Sequence, residues 1–151
     1  MDAELRELYQ QVILDHNKSP RNFRVIEQPS NSSEGYNPLC GDKINLYLTI
    51  EDEIVKDISF QGSGCAISKA SASLMSSIIK GKTIEETKKI FEKFQEMITG
   101  RLDENSDLES LGKLTVLEGV KEFPVRVKCA GLAWHTLINA INKKKEPVTT
   151  E

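Results

Sequence analysis

Hydrophobic residues in the first half of the chain follow two different periods. Over residues 3–16 they recur every three or four positions, which predicts an amphipathic helix. Over 44–50 and 55–60 they alternate with polar residues instead, which is typical of half-buried strands. The polar run 51–53 between these strands predicts an antiparallel hairpin with one face exposed to water. The helical stripe consists of Leu5, Leu8, Tyr9, Val12 and Ile13.

Residues 17–39 lack either period. They are rich in proline, glycine, asparagine and serine, a composition that is typical of a loop. A short first strand is still possible, near 23–26 or near 35–37. We therefore expect about three strands in the sheet.

The second half of the chain returns to a helical period. Small and apolar residues over 66–80 predict a helix that ends at Gly81. Residues 83–86 have the form of a capping box, which opens a second helix that runs to Gly100. The run 106–109 predicts the start of a further, shorter helix.

A final amphipathic helix is predicted up to residue 141. Pro124 suits a first helical position, and Pro147 follows the helix. Strands that come first and helices that come afterwards indicate an α+β fold, in which helices cover one face of a small antiparallel sheet. The apolar stripe of the last helix consists of Val127, Ala130, Trp134, Leu137, Ile138 and Ile141.

The length and charge of the chain limit its classes. Its 151 residues suit one compact domain, which we expect over 1–146, followed by a disordered tail over 147–151. A net charge of −3 argues against a nucleic-acid partner. No run approaches the roughly 20 apolar residues of a membrane helix, and the first residues lack a signal-peptide pattern, so we expect a cytoplasmic protein without a membrane partner.

Three cysteines carry the candidate chemistry. An odd number excludes a complete disulfide framework, and a reducing compartment keeps thiols free for metal or sulfur chemistry. Together with Asp42, the thiols of Cys40, Cys65 and Cys129 would make four ligands for zinc, iron or a small iron–sulfur cluster. The alternative is that the cysteines are buried apolar residues without a role.

The surroundings of each thiol favour a site. If the chain is extended there, Cys40 and Asp42 point to one face, with Gly41 between them. Cys65 stands where a strand meets a helix, whose N-terminus favours a thiolate. Cys129 belongs to the last helix or to the turn before it. These three segments are distant in sequence, so the site would need the whole fold.

Several runs along the chain match the pattern of a known family. They are Leu8-Tyr9, Asp15-His16, Pro20-Arg21-Asn22, Pro38-Leu39-Cys40-Gly41-Asp42, Gly62-Ser63-Gly64-Cys65, Phe123-Pro124 and Arg126-Val127-Lys128-Cys129. Over nearly the whole chain, these runs resemble the IscU/NifU-like iron–sulfur scaffold family. The last cysteine follows Lys128, where the IscU branch has histidine, and the stretch between the second and third cysteines is longer than in that branch. Both features resemble the SufU branch.

The resemblance implies a SufE/NifU-like architecture and a role in iron–sulfur cluster assembly. Its SufU branch implies a zinc protein that accepts persulfide sulfur from a SufS-type cysteine desulfurase and serves downstream iron–sulfur assembly proteins. Its wider membership implies an alternative, a scaffold that assembles a [2Fe-2S] cluster on the same four ligands. A third alternative is a module in which zinc only stabilises the fold.

Within the first hypothesis we expect Cys40 to be the sulfur acceptor, because its loop is flanked by proline and glycine and can move. Arg126 and Lys128 would attract an acidic partner or stabilise a persulfide anion, or they are ordinary solvated charges. His16 and His135 could ligate a metal, but capping or surface roles are more common for a lone histidine.

Overall fold

The computed structural model describes residues 3–103, 105 and 107–150. Three strands follow the first helix, and two helices and one long 3₁₀ segment then precede the last helix. In chain order the elements are α1 (Ala3–Lys18), β1 (Asn31–Asn37), β2 (Asp42–Glu51), β3 (Ile54–Ser63), α2 (Ala66–Ile79), α3 (Ile84–Ile98), the 3₁₀ segment (Glu109–Glu122), α4 (Pro124–Ile141) and β4 (Val148–Thr149).

The sheet has the strand order β3-β2-β1-β4. Its first three strands form an antiparallel meander, and β4 lies parallel to β1. The alternating apolar side chains of β2 point into the core as predicted, because Ile44, Leu46 and Leu48 are all buried. The α+β class is confirmed, but the sheet has four strands where the sequence predicts about three.

The strand that the sequence obscures is β1, which lies inside the predicted loop 17–39. Its buried positions are Asn31, Gly35 and Asn37, so hydrophobic alternation gives no sign of it. The buried amide of Asn31 donates a hydrogen bond to the carbonyl of Ala140 in α4, at 2.9 Å. The possible strand near 35–37 is therefore the end of β1. Near 23–26 there is only an isolated bridge, between Phe23 and Phe60.

The fourth strand lies within the segment predicted to be a disordered tail. Val148 pairs with Gly35, and the backbone nitrogen of Thr150 donates to the carbonyl of Tyr36 at 3.1 Å. Two residues are too few to show a period, so this strand leaves no signal in the sequence. Glu151 lies outside the described residues.

The start of α3 follows the predicted capping chemistry. In α3 the hydroxyl of Thr83 accepts a hydrogen bond from the nitrogen of Glu86, and the Glu86 carboxylate accepts one from the nitrogen of Thr83. The predicted start at 106–109 is only partly described, because Ser106 lies outside the described residues. Asp107 accepts a hydrogen bond from the nitrogen of Glu109, and the 14-residue 3₁₀ segment follows, kinked at Gly112.

Close packing of α4 on β1 positions the last cysteine. A Cβ atom at Gly35 would collide with the hydroxyl of Thr136, so glycine is what allows the helix to approach the strand. On its other side, α4 contributes Trp134, whose ring stacks on Phe94 with 4.7 Å between centroids. These contacts hold α4 against the end of β1. Cys40, the first predicted ligand, follows that end of β1 in the chain.

Candidate metal centre

The first two predicted ligands lie on the β1–β2 hairpin. Asn37 and Asp42 are directly paired, so residues 38–41 form the loop between the strands. The carbonyl of Asn37 accepts a hydrogen bond from the nitrogen of Cys40 at 3.3 Å, and Gly41 supplies a positive φ of 71°. Cys40 is therefore in a tight turn rather than in the extended chain that the sequence suggests. Its side chain is exposed, whereas Asp42 is 2% exposed.

The third predicted ligand, Cys65, lies at the junction of β3 and α2. It is the N-cap of α2, and its sulfur accepts a hydrogen bond from the nitrogen of Ser68 at 3.4 Å. Its own backbone nitrogen donates to Asp42 Oδ1 at 2.8 Å. Gly64 makes this approach possible: its φ is 149°, and a Cβ atom there would collide with the Asp42 carboxylate.

The fourth predicted ligand, Cys129, lies within α4 and is 2% exposed. Its sulfur is 3.4 Å from the sulfur of Cys40. Burial raises the pKa of the Cys129 thiol, and hydrogen bonds with Cys40, Cys65 and Asp42 raise this pKa further. A proton on this thiol is therefore favoured unless a positive charge binds beside it.

The structure brings Cys40, Asp42 and Cys129 into one group and places Cys65 beside Asp42, outside that group. One ligand atom each from Cys40, Asp42 and Cys129 lies within 4.8 Å of the others, and Cys65 Sγ lies 3.9 Å from Asp42 Oδ2. Two ligands at about 2.3 Å from a tetrahedral zinc ion are about 3.8 Å apart. The sulfur–sulfur distance of 3.4 Å and the sulfur–oxygen distance of 3.9 Å are close to that separation. Three thiolates and one carboxylate are also a donor set that zinc accepts, so the residues fit this ion.

Asn37 is a member of the site that sequence reasoning missed. It is completely buried, and its amide nitrogen donates to Asp42 Oδ2 at 3.1 Å and to the sulfur of Cys129 at 3.5 Å. The available signal was its place directly before the Pro38-to-Asp42 run. Because β1 has no hydrophobic alternation, nothing indicated that this amide is buried.

The other predicted cations, Arg126 and Lys128, lie on α4 near Cys129 in sequence. The guanidinium of Arg126 covers the ring of Phe123, with 4.4 Å to its centroid. Lys128 lines a cavity of about 420 Å³ between α3, α4 and the C-terminal strand. Both cations belong to the first turns of α4, the helix that carries Cys129. Their predicted part in partner binding stays a prediction.

The two histidines make other contacts. His16 is buried, and its Nδ1 lies 2.7 Å from the hydroxyl of Ser73 in α2. Burial lowers the pKa of His16 and also that of His135. The ring of His135 meets Phe91 edge to face, at 5.4 Å between centroids. His16 therefore links α1 to α2.

Fold and site together define a class of protein: a small α+β domain in which a strand turn, a helix start and the last helix carry the cysteines of a candidate metal centre. The model of the NifU-like N-terminal domain family matches residues 8–143, and the chain belongs to this family. Among the residues that the structure describes, the helices are too short or too polar to cross a membrane.

Two curated relatives span almost the same length. The chain is 43% identical to the zinc-dependent sulfurtransferase SufU of Bacillus subtilis, over 95% of this chain and 96% of that protein. It is 41% identical to the iron–sulfur cluster assembly scaffold protein IscU of Thermotoga maritima, over 93% of this chain and 96% of that protein.

Solved structures agree with the fold. A candidate iron–sulfur cluster assembly scaffold protein for the SUF system, from Fervidobacterium islandicum AW-1, superposes with a TM-score of 0.83 at 34% identity, over 90% of this chain and 98% of that one. The N-terminal region of a NifU-like protein from Brucella abortus has a TM-score of 0.81 at 19% identity, over 93% of this chain and 96% of that one, and it supports the fold alone.

Proposed function

We propose that this chain is a zinc-dependent sulfur-transfer protein of iron–sulfur cluster assembly, which accepts persulfide sulfur on Cys40 from a SufS-type cysteine desulfurase. The observation that carries the proposal is one exposed thiol, that of Cys40, 3.4 Å from a buried one, that of Cys129. Such a pair offers a sulfur that a partner can reach beside a sulfur that stays in place. The name of the Bacillus subtilis relative supports the same activity.

In this proposal Cys40, Asp42, Cys65 and Cys129 hold the zinc ion. When bound, zinc keeps the thiols deprotonated and protects them from oxidation. Asp42 supplies a hard oxygen ligand beside three soft sulfur ligands, and its oxygen matches the ion less well than the thiolates do. It is itself held at both oxygens, by the nitrogen of Cys65 and by the amide of Asn37.

The transfer step is a thiol–persulfide exchange. The thiolate of Cys40 attacks the outer sulfur of the persulfide on the desulfurase, and a new sulfur–sulfur bond forms on Cys40. The sulfur–sulfur bond on the desulfurase breaks, and its cysteine leaves as a thiolate. No net oxidation occurs, so no further oxidant is needed. Arg126 and Lys128 would attract an acidic surface of the desulfurase or stabilise the persulfide anion.

The proposed setting is the cytoplasm, where reducing conditions keep three cysteines free. The sulfur on Cys40 would then pass to downstream iron–sulfur assembly proteins. This makes the chain a sulfur relay more than an enzyme with free product release.

A second candidate function is a scaffold on which a [2Fe-2S] cluster is assembled. It is favoured by the name of the Thermotoga maritima relative, which is nearly as similar to the chain. The same four ligands would serve, because thiolates also bind iron and cluster sulfide. Metal analysis of protein purified without added metal separates the two functions: one zinc per chain favours the relay, and iron with a brown colour favours the scaffold.

The test of the proposal locates the transferred sulfur. The chain is incubated with a cysteine desulfurase and cysteine, and its peptides are analysed by mass spectrometry without reduction. We expect one extra sulfur on the peptide that contains Cys40, and none in Cys40→Ala. Cys65→Ala is the matched control, since it removes a ligand but keeps the acceptor. Full sulfur acceptance by Cys40→Ala would show that the assignment is wrong, and stimulation of the desulfurase by the wild type would exclude a purely structural zinc.

A further inference from the structure

Asn37 contacts three of the four proposed zinc ligands. Its side-chain nitrogen donates to Asp42 Oδ2 at 3.1 Å and to Cys129 Sγ at 3.5 Å. Its backbone carbonyl accepts the nitrogen of Cys40 at 3.3 Å. It lies directly opposite Asp42 in the β1–β2 ladder and is completely buried. Asn37 therefore joins the loop, the strand and α4 at one point.

The orientation of this amide follows from its neighbours. An ionised carboxylate only accepts hydrogen bonds, so the nitrogen of Asn37, and not its oxygen, must face Asp42. The sulfur of Cys129 on the same side also accepts. The amide oxygen, in consequence, has no hydrogen-bond partner among the described residues.

We propose that Asn37 is a positioning residue of the metal centre, whose amide holds the Asp42 carboxylate and the Cys129 sulfur at the spacing that zinc requires. The inference rests on the proposed metal centre but not on sulfur transfer. Hydrogen bonds to ionised acceptors are stronger than those between neutral groups, and outer partners of this kind fix the direction of a metal ligand. Loss of such a partner typically weakens metal binding by about 10–100-fold.

The chain offers a matched control on the same strand. Asn31 is six residues before Asn37, so both side chains lie on one face of β1. It is 7% exposed, and its amide also donates to α4, at the carbonyl of Ala140. Asn31 thus has the same residue type, strand, burial and partner helix, but its contact is at the far end of α4 from Cys129. The Asn31→Ala variant therefore measures the structural cost of losing a buried amide, while the candidate metal site stays unchanged.

The experiment measures zinc affinity of the full chain by competition with a coloured chelator. We expect Asn37→Ala and Asn37→Asp to bind zinc about 10–100-fold more weakly than the wild type, and Asn31→Ala to bind it unchanged. Asn37→Asp keeps the shape of the side chain, so it tests the lost donor even where alanine impairs folding. Replacing zinc with cobalt gives a second readout: the visible absorption bands of the Asn37 variants should shift, and those of Asn31→Ala should not.

A double-mutant cycle tests whether Asn37 affects zinc affinity through Asp42. If Asn37 acts through Asp42, the change Asn37→Ala should weaken zinc binding less in an Asp42→Ala background than in the wild type. Wild-type affinity and an unchanged cobalt spectrum in either Asn37 variant would overturn the inference, as would an equal loss in Asn31→Ala. Failure of sulfur transfer has a different signature, because zinc binding would then be intact while Cys40 gains no sulfur.

Discussion

The two halves of the metal centre differ in how firmly the fold holds them. Cys40 lies in an exposed four-residue loop, held by one backbone hydrogen bond at 3.3 Å. Cys129 lies inside an 18-residue helix and is 2% exposed. The two sulfurs are nevertheless 3.4 Å apart. The difference teaches that a partner could reach the Cys40 thiol, whereas the Cys129 thiol is held inside the fold.

Asp42 and Cys65 stand between these extremes. Asp42 is buried but belongs to the same hairpin as Cys40, and Cys65 is partly exposed at the start of α2. Their direct link, from the Cys65 nitrogen to Asp42 Oδ1, fastens the strand side of the centre to the helix side. Within the proposed function, a graded set of this kind would let the Cys40 thiolate leave and return while the other three ligands stay bound.

The largest expected difference between the two halves is in thiol reactivity. In metal-free protein at neutral pH, an alkylating reagent should modify Cys40 about 1,000-fold or more faster than Cys129. The reason is that Cys129 is buried and its pKa is raised, so its reactive thiolate forms only at high pH. Peptide mapping after timed alkylation at pH 7 and pH 9 measures both rates, and Cys129 should remain slow at both. Similar rates in protein that is still folded would contradict the division into a mobile and a fixed ligand.

The two glycines beside the ligands should respond unequally to alanine. Gly64→Ala should lower the free energy of unfolding by about 2–3 kcal/mol, since alanine disfavours its φ of 149° and the new Cβ atom would collide with the Asp42 carboxylate. Gly41→Ala should cost only about 1 kcal/mol, because its φ is also positive but no other residue lies within 4 Å of the new atom. Urea denaturation of the metal-free variants measures both values.

Gly119→Ala serves as the control for these glycines, as its φ is not positive and its surroundings are open. It should leave stability nearly unchanged. Should Gly41→Ala prove as costly as Gly64→Ala, the loop side of the centre would be as tightly held as the helix side.

The smallest expected effect is that of the C-terminal strand. Removal of residues 147–151 should lower the free energy of unfolding by about 1 kcal/mol, because β4 adds only two paired residues and the bond from Thr150 to Tyr36. Zinc affinity should change little, since the hairpin is held chiefly by the seven-residue pairing of β1 with β2. Denaturation and chelator competition on the shortened chain test this. A loss of several kcal/mol would mean that the terminal strand supports the loop side.

The fold was predictable where hydrophobic residues report burial. The β2–β3 hairpin and the helices α2 and α4 follow the periods of their apolar residues. Thr83 and Glu86 cap α3, as their pattern predicts. By contrast, β1 buries Asn31, Gly35 and Asn37, whose burial depends on hydrogen bonds and close approach to α4. Such long-range contacts leave no periodic trace in one sequence.

The residues that could bind a metal were predictable from the sequence, but the contacts that hold them in place were not. Three thiols and Asp42 were identified from residue type and neighbours; the structure groups Cys40, Asp42 and Cys129 and places Cys65 beside Asp42. The turn at Cys40 and the amide of Asn37 could not be foreseen, because both depend on the register between β1 and β2. The roles of Arg126 and Lys128 depend on a partner surface, and their contacts within the chain do not determine them.

One serine on α2, Ser71, bears on the size of the ion that the candidate metal site could hold. Ser71 is buried, and its hydroxyl donates to the carbonyl of Ala130 at 2.6 Å, one residue beyond Cys129. Its neighbours Ala70 and Ala72 are equally small and buried, so α2 and α4 approach closely. These helices carry Cys129 and, at the start of α2, Cys65. The bond between Ser71 and α4 therefore sets the separation of two of the four candidate ligands, and a bound ion with a larger radius, such as cadmium, would have to be accommodated on the side of the exposed Cys40 loop.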